Sequence, residues 1–326
     1  MLDHARAAEA PSTLESARLR TLQRRYTWIV IVTPFIAFVV AMATLWGPGA
    51  GLVALSMLAV MYALTSVGIC VGFHRYFTHR SFECVPSVRW ILAALGSMAA
   101  EGPLIYWVAT HRFHHQESDL SRDPHSPHSY GAGLRDVVRG LWHAHVGWMF
   151  TSPPANALRY APDLLNDPLA SKAHERYVVW VLLGLALPAA LGGLLTASWT
   201  GVWQGLLWGG FARVFLVQHV TWSVNSICHV YGRQPYATGD QSRNNKWLAL
   251  LSFGESWHNN HHAFPSSAWH GLESHELDIS GWIIQRLASF GLAWDVVLPP
   301  PTLMERKRAV TFVGRSGRPS DEPARW

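Results

Sequence analysis

Three short motifs hold the residues of this sequence that are best suited to metal coordination. "HRYFTH" begins at residue 74, "HRFHH" at residue 111 and "HNNHH" at residue 258. Residues three or four apart share one face of a helix, so the histidines converge within each of the last two motifs, as do Asn225 and His229 of "NSICH". His74 and His79 are five residues apart and converge only around a large cavity or with local distortion.

The set is too large for one ion, whereas two ions would each receive four or five ligands. Imidazole suits Fe, Zn and Cu, but structural zinc closes with four ligands and usually uses thiolate, and haem needs histidines that face each other. Two iron ions (Fe²⁺/Fe³⁺) with O₂ as co-substrate are the preferred interpretation. The candidate metal ligands are His74, His79, His111, His114, His115, Asn225, His229, His258, His261 and His262.

The composition indicates which elements position these residues. Of the 326 residues, 49% are hydrophobic and 14% are charged, which is unusual for a soluble protein. A helix of 19 residues is about 28 Å long, close to the hydrocarbon thickness of a bilayer. Apolar stretches of that length predict four membrane-spanning helices at about 28–46, 52–71, 177–197 and 202–224.

A fifth apolar stretch, 88–109, is interpreted differently. It contains Glu101, Gly102 and Pro103, and an unpaired carboxylate in lipid is costly. A crossing here would also put His74 and His111 on opposite sides of the membrane. We therefore expect this stretch to be re-entrant or interfacial, with its non-helical backbone covered by protein.

The basic residues predict the orientation. Of the 26 Lys and Arg residues, only Arg213 lies inside a predicted span, and the short loops at 47–51 and 198–201 contain none. By the positive-inside rule, the termini and all four histidine motifs lie in the cytoplasm, here of a bacterial cell with a multi-pass protein in its cytoplasmic membrane. The pI near 9.3 then reflects lipid headgroups, and no nucleic-acid partner is expected.

Two features near the N-terminus and among the cysteines bear on this topology. "AMA" at 41–43 mimics a signal-peptidase site, but we expect the first span to be retained because its loss would break the even number of crossings. Cys70, Cys84 and Cys228 form no close pair in sequence, suit a reducing compartment and are interpreted as packing residues.

The motifs resemble the three histidine boxes of the membrane-bound fatty acid desaturases, in particular the Δ9, stearoyl-CoA-desaturase-like branch of bacterial type. "DPHSP" at 123–127, "HVGW" at 145–148, "WSVNSICHVYGRQPY" at 222–236 and "GESWHNNHHAFP" at 254–265 extend the resemblance. It covers roughly residues 50 to 295.

The resemblance implies an all-α membrane protein with four transmembrane helices and a cytoplasmic helical cap that holds a histidine-rich di-iron site beside an acyl tunnel. The desaturase domain would span 28–297, between a cytoplasmic N-terminal segment at 1–27 and a flexible basic tail at 298–326. One iron would be bound by His74, His79, His111, His115 and His262. The other would be bound by His114, His229, His258 and His261, with Asn225 acting through water.

The implied activity is insertion of a cis double bond, at the Δ9 position, into a saturated acyl chain with O₂ and two electrons. A membrane hydroxylase or acetylenase of the same fold is the alternative, and a non-enzymatic metal-binding protein is the second. The substrate would be an acyl-CoA or acyl-lipid. The segment after "DPH" lacks the basic pair of acyl-CoA members, so an acyl carrier protein also stays open. Electrons would come from a separate ferredoxin or cytochrome and its reductase.

Further residues are expected around the metals. Carboxylates near the motifs, Glu117, Asp119, Asp123 and Glu255, are candidates for fixing the imidazole tautomers. Arg213 is a functional candidate because it is a cation inside a span, and a structural salt bridge or a clamp on carbonyl groups is the alternative role for it. The proposed substrate-binding residues are Met57, Met61, Tyr62, Trp107, Trp148 and Arg213.

Overall fold

The computed structural model describes residues 10–44 and 51–313, with the side chains of 309–313 excepted. Most of the loop predicted at 47–51, the first part of the N-terminal segment and the last part of the C-terminal tail lie outside the described residues. Within the described part the protein is mostly helical, with one two-stranded antiparallel sheet.

Fifteen α-helices are described, and π-helical turns extend some of them. In chain order the α-helices are α1 (Ala17–Thr44), α2 (Leu52–Val67), α3 (Pro86–Met98), α4 (Leu104–Glu117), α5 (Leu134–Trp142), α6 (Trp148–Thr151), α7 (Ala157–Tyr160), α8 (Pro162–Leu165), α9 (Pro168–Glu175), α10 (Tyr177–Thr196), α11 (Trp199–Gln204), α12 (Arg213–Ser226), α13 (His258–Ala263), α14 (Ile279–Ser289) and α15 (Pro301–Val313). The π-helical segments are Gly68–Thr78, His143–Gly147 and Gly205–Ala212, and a 3₁₀ turn covers Ile227–His229.

Among the described residues, three helical segments are long and apolar enough to cross a membrane. They are α1, α2 together with its π-helical extension to Thr78, and α10. The most apolar 18-residue windows of these segments have mean hydropathies of 2.1, 2.1 and 2.3, because they contain apolar side chains and few charges. A helix also satisfies its own backbone hydrogen bonds, as the interior of a bilayer requires.

The fourth predicted span, 202–224, lies in a helical segment that continues from Trp199 to Ser226 through α11, a π-helical stretch and α12. This segment packs closely on α10, since a Cβ at Gly205 would lie 2.0 Å from the Pro188 carbonyl oxygen. A Cβ at Gly201 would lie 2.3 Å from the Gly192 carbonyl oxygen. Glycine is therefore required here by the approach of one backbone to another.

The stretch predicted to be re-entrant forms two helices, α3 and α4, joined by a break at 99–103. Ala100 and Gly102 adopt positive φ angles of 60° and 115°, so the chain changes direction next to Glu101. Arg213 donates to the carbonyl oxygen of Met98 at 2.5 Å, and Gln218 donates to that of Ala100 at 3.0 Å. The break is thus tied to α12.

Arg213 is fully buried and also donates to the carbonyl oxygens of Gly184 and Gly209. The three carbonyl groups come from α3, α10 and the π-helical stretch before α12. Since these contacts occupy Nε and both terminal nitrogens of the guanidinium, Arg213 joins neighbouring helices rather than facing a ligand.

The remaining described elements are the short helices α5 to α9, the strands β1 (Glu83–Cys84) and β2 (Ala293–Trp294), and the helices α13 to α15. The tail expected to be flexible begins with a helix, because Leu303 and Met304 of α15 pack against the buried side chains of Tyr236 and Phe264. Residues 301–313 are thus helical in the structure, while the flexibility of the tail stays a prediction.

Replacing Gly205 with alanine tests the close packing on α10. The new Cβ would overlap the Pro188 carbonyl, and we expect this overpacking to lower the free energy of unfolding by about 1–3 kcal/mol, although alanine is the better helix former. Fluorescence-monitored thermal unfolding in detergent measures the change. Gly239→Ala is the control, since a Cβ there meets nothing within 4 Å; equal stability of the two variants would contradict this packing.

Candidate metal centre

The structure brings all nine predicted histidines together in two adjoining clusters. Within each cluster, one nitrogen of every ring lies within 4.8 Å of the others. The first cluster is His74, His79, His111, His115 and His261, and the second cluster is His114, His229, His258 and His262.

A π-helix positions the first two ligands. The segment Gly68–Thr78 continues α2 with i to i+5 turns, and the His79 amide donates to the His74 carbonyl oxygen at 3.1 Å. Residues five apart therefore share a face, and the two ring centroids are 4.8 Å apart. The local distortion that the five-residue spacing required is the π-helix.

Helices α4 and α13 lie between the two clusters and contribute to both. His111 and His115 of α4 belong to the first cluster, while His114 belongs to the second. On α13, His261 belongs to the first cluster and His258 to the second. Because adjacent residues on a helix point in different directions, one helix supplies two sites a few ångströms apart.

The expected division of the ligands differs in one respect. His262 was expected with the first cluster, but the structure places His261 there, with its Nε2 3.1 Å from that of His74 and 2.8 Å from that of His115. His262 instead belongs to the second cluster. Its Nδ1 is held by Asp240 at 2.6 Å, which fixes the direction of the ring.

Buried carboxylates hold the outer nitrogens of four ligands. The pairs are His74 with Glu255, His114 with Asp123, His229 with Asp119 and His262 with Asp240. In each pair the imidazole Nδ1–H donates to the carboxylate, at 3.0 Å for Asp123 and 2.8 Å for Asp119. The proton on Nδ1 leaves a lone pair on Nε2, which is the tautomer that binds a metal.

Ring nitrogens of neighbouring cluster histidines lie close together. Nε2 of His229 lies 3.0 Å from Nε2 of His258, and Nε2 of His111 lies 3.1 Å from Nε2 of His115. Metal–nitrogen bonds of 2.0–2.1 Å at right angles place two ligand nitrogens about 3 Å apart. The spacing therefore suits ligands that share a cation.

Several inner nitrogens have no protein partner. Nε2 of His79, His114 and His262 is buried without a hydrogen bond among the described residues. A buried polar atom without a partner costs about 1–3 kcal/mol, and a metal ion is a partner that imidazole nitrogens accept. A metal ion in each cluster would bind these unpartnered nitrogens and also the ring nitrogens that lie close together. The residues present therefore fit a metal ion.

The protonation states favour metal binding. Burial lowers the pKa of five cluster histidines well below the usual range, and neighbouring imidazoles lower it further; these are His79, His111, His115, His258 and His261. Burial lowers the pKa of His262 to about 4 although Asp240 opposes it. His114 differs, since Asp123 outweighs burial and raises its pKa. Neutral imidazoles are the form that metals require.

A buried ion-pair network lies behind the first cluster. The Arg75 guanidinium, with no exposed surface, donates to Glu255 at 3.1 Å and to Asp278 at 3.0 Å. Asp278 also accepts the backbone amide of His270 at 2.6 Å. Glu255 in turn holds His74, so the orientation of this ligand depends on a pair of carboxylates fixed by one arginine.

An apolar cavity of about 550 Å³ adjoins both clusters. Its wall includes His74, His111 and His258 together with Asn225, and the rest is mainly aliphatic and aromatic. Trp107 lies on the wall, where its ring stacks on His111 with centroids 5.1 Å apart and its Nε1 donates to Glu101 at 3.2 Å.

The proposed substrate-binding residues divide into two groups. Tyr62, Trp107 and Trp148 line this cavity. Met57 and Met61 do not line it: both are buried, and Met57 packs against Gly209. Arg213 does not line it either, because its donors are bonded to carbonyl oxygens.

Three of the four carboxylates predicted to fix imidazole tautomers are confirmed, namely Asp119, Asp123 and Glu255. Glu117 pairs with Arg122 instead. Asp240 was missed because it is distant from the motifs in sequence. His125 and His270 were also missed, although their rings lie 4.2 Å from that of His114 and 4.5 Å from that of His261; the "DPH" motif was the available signal for His125.

Comparisons with known proteins agree with this geometry. A fatty acid desaturase family model matches residues 50–278. The chain is 45% identical over 298 residues to a hex-5-enoyl-[acyl-carrier protein] acetylenase of Moorena producens, covering 91% of this chain and 93% of the relative. It is 40% identical over 258 residues to an sn-1 stearoyl-lipid 9-desaturase of Synechocystis, covering 78% and 75%. It is 37% identical over 257 residues to an acyl-CoA C20 Delta5-desaturase of Anemone leveillei, covering 77% and 75%.

Asp240→Asn tests the carboxylates that hold the ligands. Loss of the charge beside His262 should weaken metal binding by about 10–100-fold, measured as metal retained per chain, by elemental analysis, after dialysis against graded chelator. Glu273→Gln is the control, because Glu273 pairs with Arg308 on the surface and contacts no cluster histidine. Retention equal to that of the native protein would show that Asp240 does not support a ligand.

Proposed function

The chain belongs to the fatty acid desaturase family, and from this premise we propose that it introduces a cis double bond, at the Δ9 position, into a saturated acyl chain. It is an oxidoreductase of lipid metabolism. The observation that carries the proposal is the position of two clusters of buried and half-buried imidazoles at the wall of an apolar cavity. No side-chain base removes a proton from an unactivated methylene, so the chemistry requires a metal.

The proposed cofactor is a pair of iron ions, one in each cluster, with Asn225 completing the second site through water. When bound, the two irons would supply the oxidising chemistry by which O₂ takes two hydrogens from adjacent methylenes. The all-nitrogen donor set supports this assignment, because the described cysteines are buried elsewhere. Iron near two per purified chain is the corresponding measurement.

The protein's own contribution is orientation. Each carboxylate that accepts an Nδ1–H keeps the lone pair of that ring directed inward, and α4 and α13 fix the distance between the clusters because each carries ligands of both. The ligands therefore need no rearrangement on loading, apart from displacement of any water that satisfies them.

The position of the double bond requires a rigid cavity. Each buried methylene contributes about 0.8 kcal/mol, so affinity alone does not distinguish one carbon from its neighbour. Trp107 is held between His111 and Glu101, and Tyr62 donates to the Leu251 carbonyl oxygen at 2.6 Å. Walls fixed in this way support selection by distance along the acyl chain.

The proposed substrate is an acyl-lipid or an acyl-CoA, in keeping with the printed activities of relatives such as those from Synechocystis and Anemone leveillei. The two electrons would come from a separate one-electron carrier, a ferredoxin or a cytochrome with its reductase. One O₂, two electrons and two protons then yield two waters for each double bond formed.

Formation of a triple bond is the second candidate. The Moorena producens relative that acts as an acetylenase shares 45% identity across 91% of this chain, a wider match than that of the Synechocystis desaturase. Its acyl group is also attached to a carrier protein, so hex-5-enoyl carrier protein and a stearoyl lipid are the two substrates to compare.

We further propose four crossings, with the fourth at about 202–224, the stretch 88–109 re-entrant or interfacial, and the termini and metal centre in the cytoplasm of a bacterium. The proposal is supported by three described helices long enough to span and by the distribution of Lys and Arg.

Alkaline phosphatase fusions test this topology, since that enzyme needs disulfides that form only outside the cytoplasm. A fusion after Trp326 should be inactive and one after Thr200, in the predicted outer loop, should be active. Activity of the fusion after Trp326, measured in intact cells against immunoblotted amounts, would contradict the orientation.

Expression in a host that lacks unsaturated fatty acids tests the activity. Lipid chromatography with location of double bonds should detect a new cis-monounsaturated acyl chain, and His114→Ala and His261→Ala should abolish it because each removes a ligand of a different cluster. His275→Ala is the matched control, since His275 is exposed and belongs to neither cluster.

Acetylenic or hydroxylated products in the same experiment would favour the alternative activities over desaturation. Full activity in both cluster variants would show that the ligand assignment is wrong.

A further inference from the structure

A second cavity reaches the histidine clusters from a different direction. Its volume is about 410 Å³ and its lining is mainly polar. The lining residues are Thr78, His79, Arg112, His115, Asp240, His262, Pro265 and Ser266. Ser266 is exposed, so the cavity opens to the surface at the turn that follows α13.

The polar and apolar cavities share no lining residue. For the first cluster, His74 and His111 face the apolar cavity, while His79 and His115 face the polar one. The second cluster is divided in the same way, since His258 faces the apolar cavity and His262 faces the polar one. The clusters therefore lie between two compartments of different chemistry.

The walls of the polar cavity suit water and cations. Asp240 accepts from His262 and from both the amide and the hydroxyl of Ser242, which is the pattern of an ionised carboxylate. Arg112 is paired with Asp163 at 2.6 Å, a carboxylate that it shares with Arg80. The anionic oxygens of Asp240 thus lie at the entrance to imidazoles that bind cations.

Turnover needs such a route. For each double bond formed, RCH₂–CH₂R′ + O₂ + 2 e⁻ + 2 H⁺ gives RCH=CHR′ + 2 H₂O, and the electrons come from the one-electron carrier. While an acyl chain fills the apolar cavity, protons and water cannot cross it, because ions and unpaired polar groups are costly among apolar side chains.

We propose that the polar cavity is the solvent-side passage of the metal centre, through which metal ions and protons enter and water leaves. This inference rests on the proposed di-iron function and adds the route by which the centre exchanges with solvent. It assigns the mouth of the passage to Ser266 and its inner wall to Asp240, Thr78 and the half-buried histidines.

Blocking the mouth in the folded holoenzyme tests the passage. Ser266→Cys provides a thiol there, whereas the native cysteines Cys70, Cys84 and Cys228 are buried and should not react. The iron-loaded variant is labelled with a bulky maleimide, and the loss of iron to bipyridine is followed by absorbance. Reloading of the stripped protein with Fe²⁺ is followed by elemental analysis.

Two matched variants serve as controls. Leu19→Cys places the label at the apolar cavity, which Leu19 lines while 40% exposed. Ser289→Cys places it on the exposed side of α14, at neither cavity. Each labelled variant is compared with its own unlabelled form, so that an effect of the substitution on folding cancels.

Labelled Ser266→Cys should lose and regain iron about tenfold more slowly, an added barrier of ~1.4 kcal/mol, whereas both controls should exchange iron at unchanged rates. Unchanged rates in labelled Ser266→Cys, or slowing in labelled Leu19→Cys instead, would overturn the passage and leave the di-iron proposal standing. A native protein that retains no iron would overturn both.

Discussion

The structure depends on one electrostatic constraint: many imidazole lone pairs are directed at one another in a buried space. Facing nitrogens such as those of His229 and His258 are 3.0 Å apart, and the proton of His229 is held on the opposite side by Asp119. A cation shared by two such nitrogens would bind the lone pair of each. The arrangement is stable as a binding site because the surrounding carboxylates fix the tautomers and the fold prevents the rings from turning away.

The fold prevents the imidazole rings from turning away by means of buried polar groups that hold neighbouring segments together. Arg75 connects Glu255 to Asp278 and so ties the π-helical end of α2 to the loops around α13 and α14. A buried ion pair that is fully hydrogen-bonded adds little net stability, but removal of one partner is strongly destabilising. We infer that this network serves mainly to fix orientation, while apolar packing stabilises the fold.

The same constraint explains why two unlike cavities meet at the metal centre. An apolar cavity adjoins His74, His111 and His258, and a polar one adjoins His79, His115 and His262. A site that oxidises an apolar chain with O₂ must contact both phases, because the chain is apolar whereas the protons come from water and the product water must leave. The clustered histidines separate the two cavities, since each imidazole would present a polar nitrogen to the metal and a partly apolar face to its neighbours.

The sequence alone was sufficient for much of the site. The motifs contained all nine clustered histidines, and helical spacing predicted convergence within two of them, because residues on one short helix keep their relative positions whatever the rest of the chain does. It also predicted four apolar spans, three of which correspond to described helices long enough to cross a membrane, together with the break near Glu101 and the carboxylates next to the motifs. These features depend on neighbours within a few residues, and local geometry determines them.

Only the tertiary structure decided what depends on contacts distant in sequence. It assigned His261 rather than His262 to the first cluster, and it identified Asp240 and His270 as neighbours of the clusters. It also showed that Met57 and Met61 do not line the apolar cavity. It also showed that Arg213 binds carbonyl oxygens of three helical segments, and that α15 packs where a flexible tail was expected. The direction of a ring and the partner of a buried charge are set by packing between segments far apart in the chain, which periodicity and motif spacing do not encode.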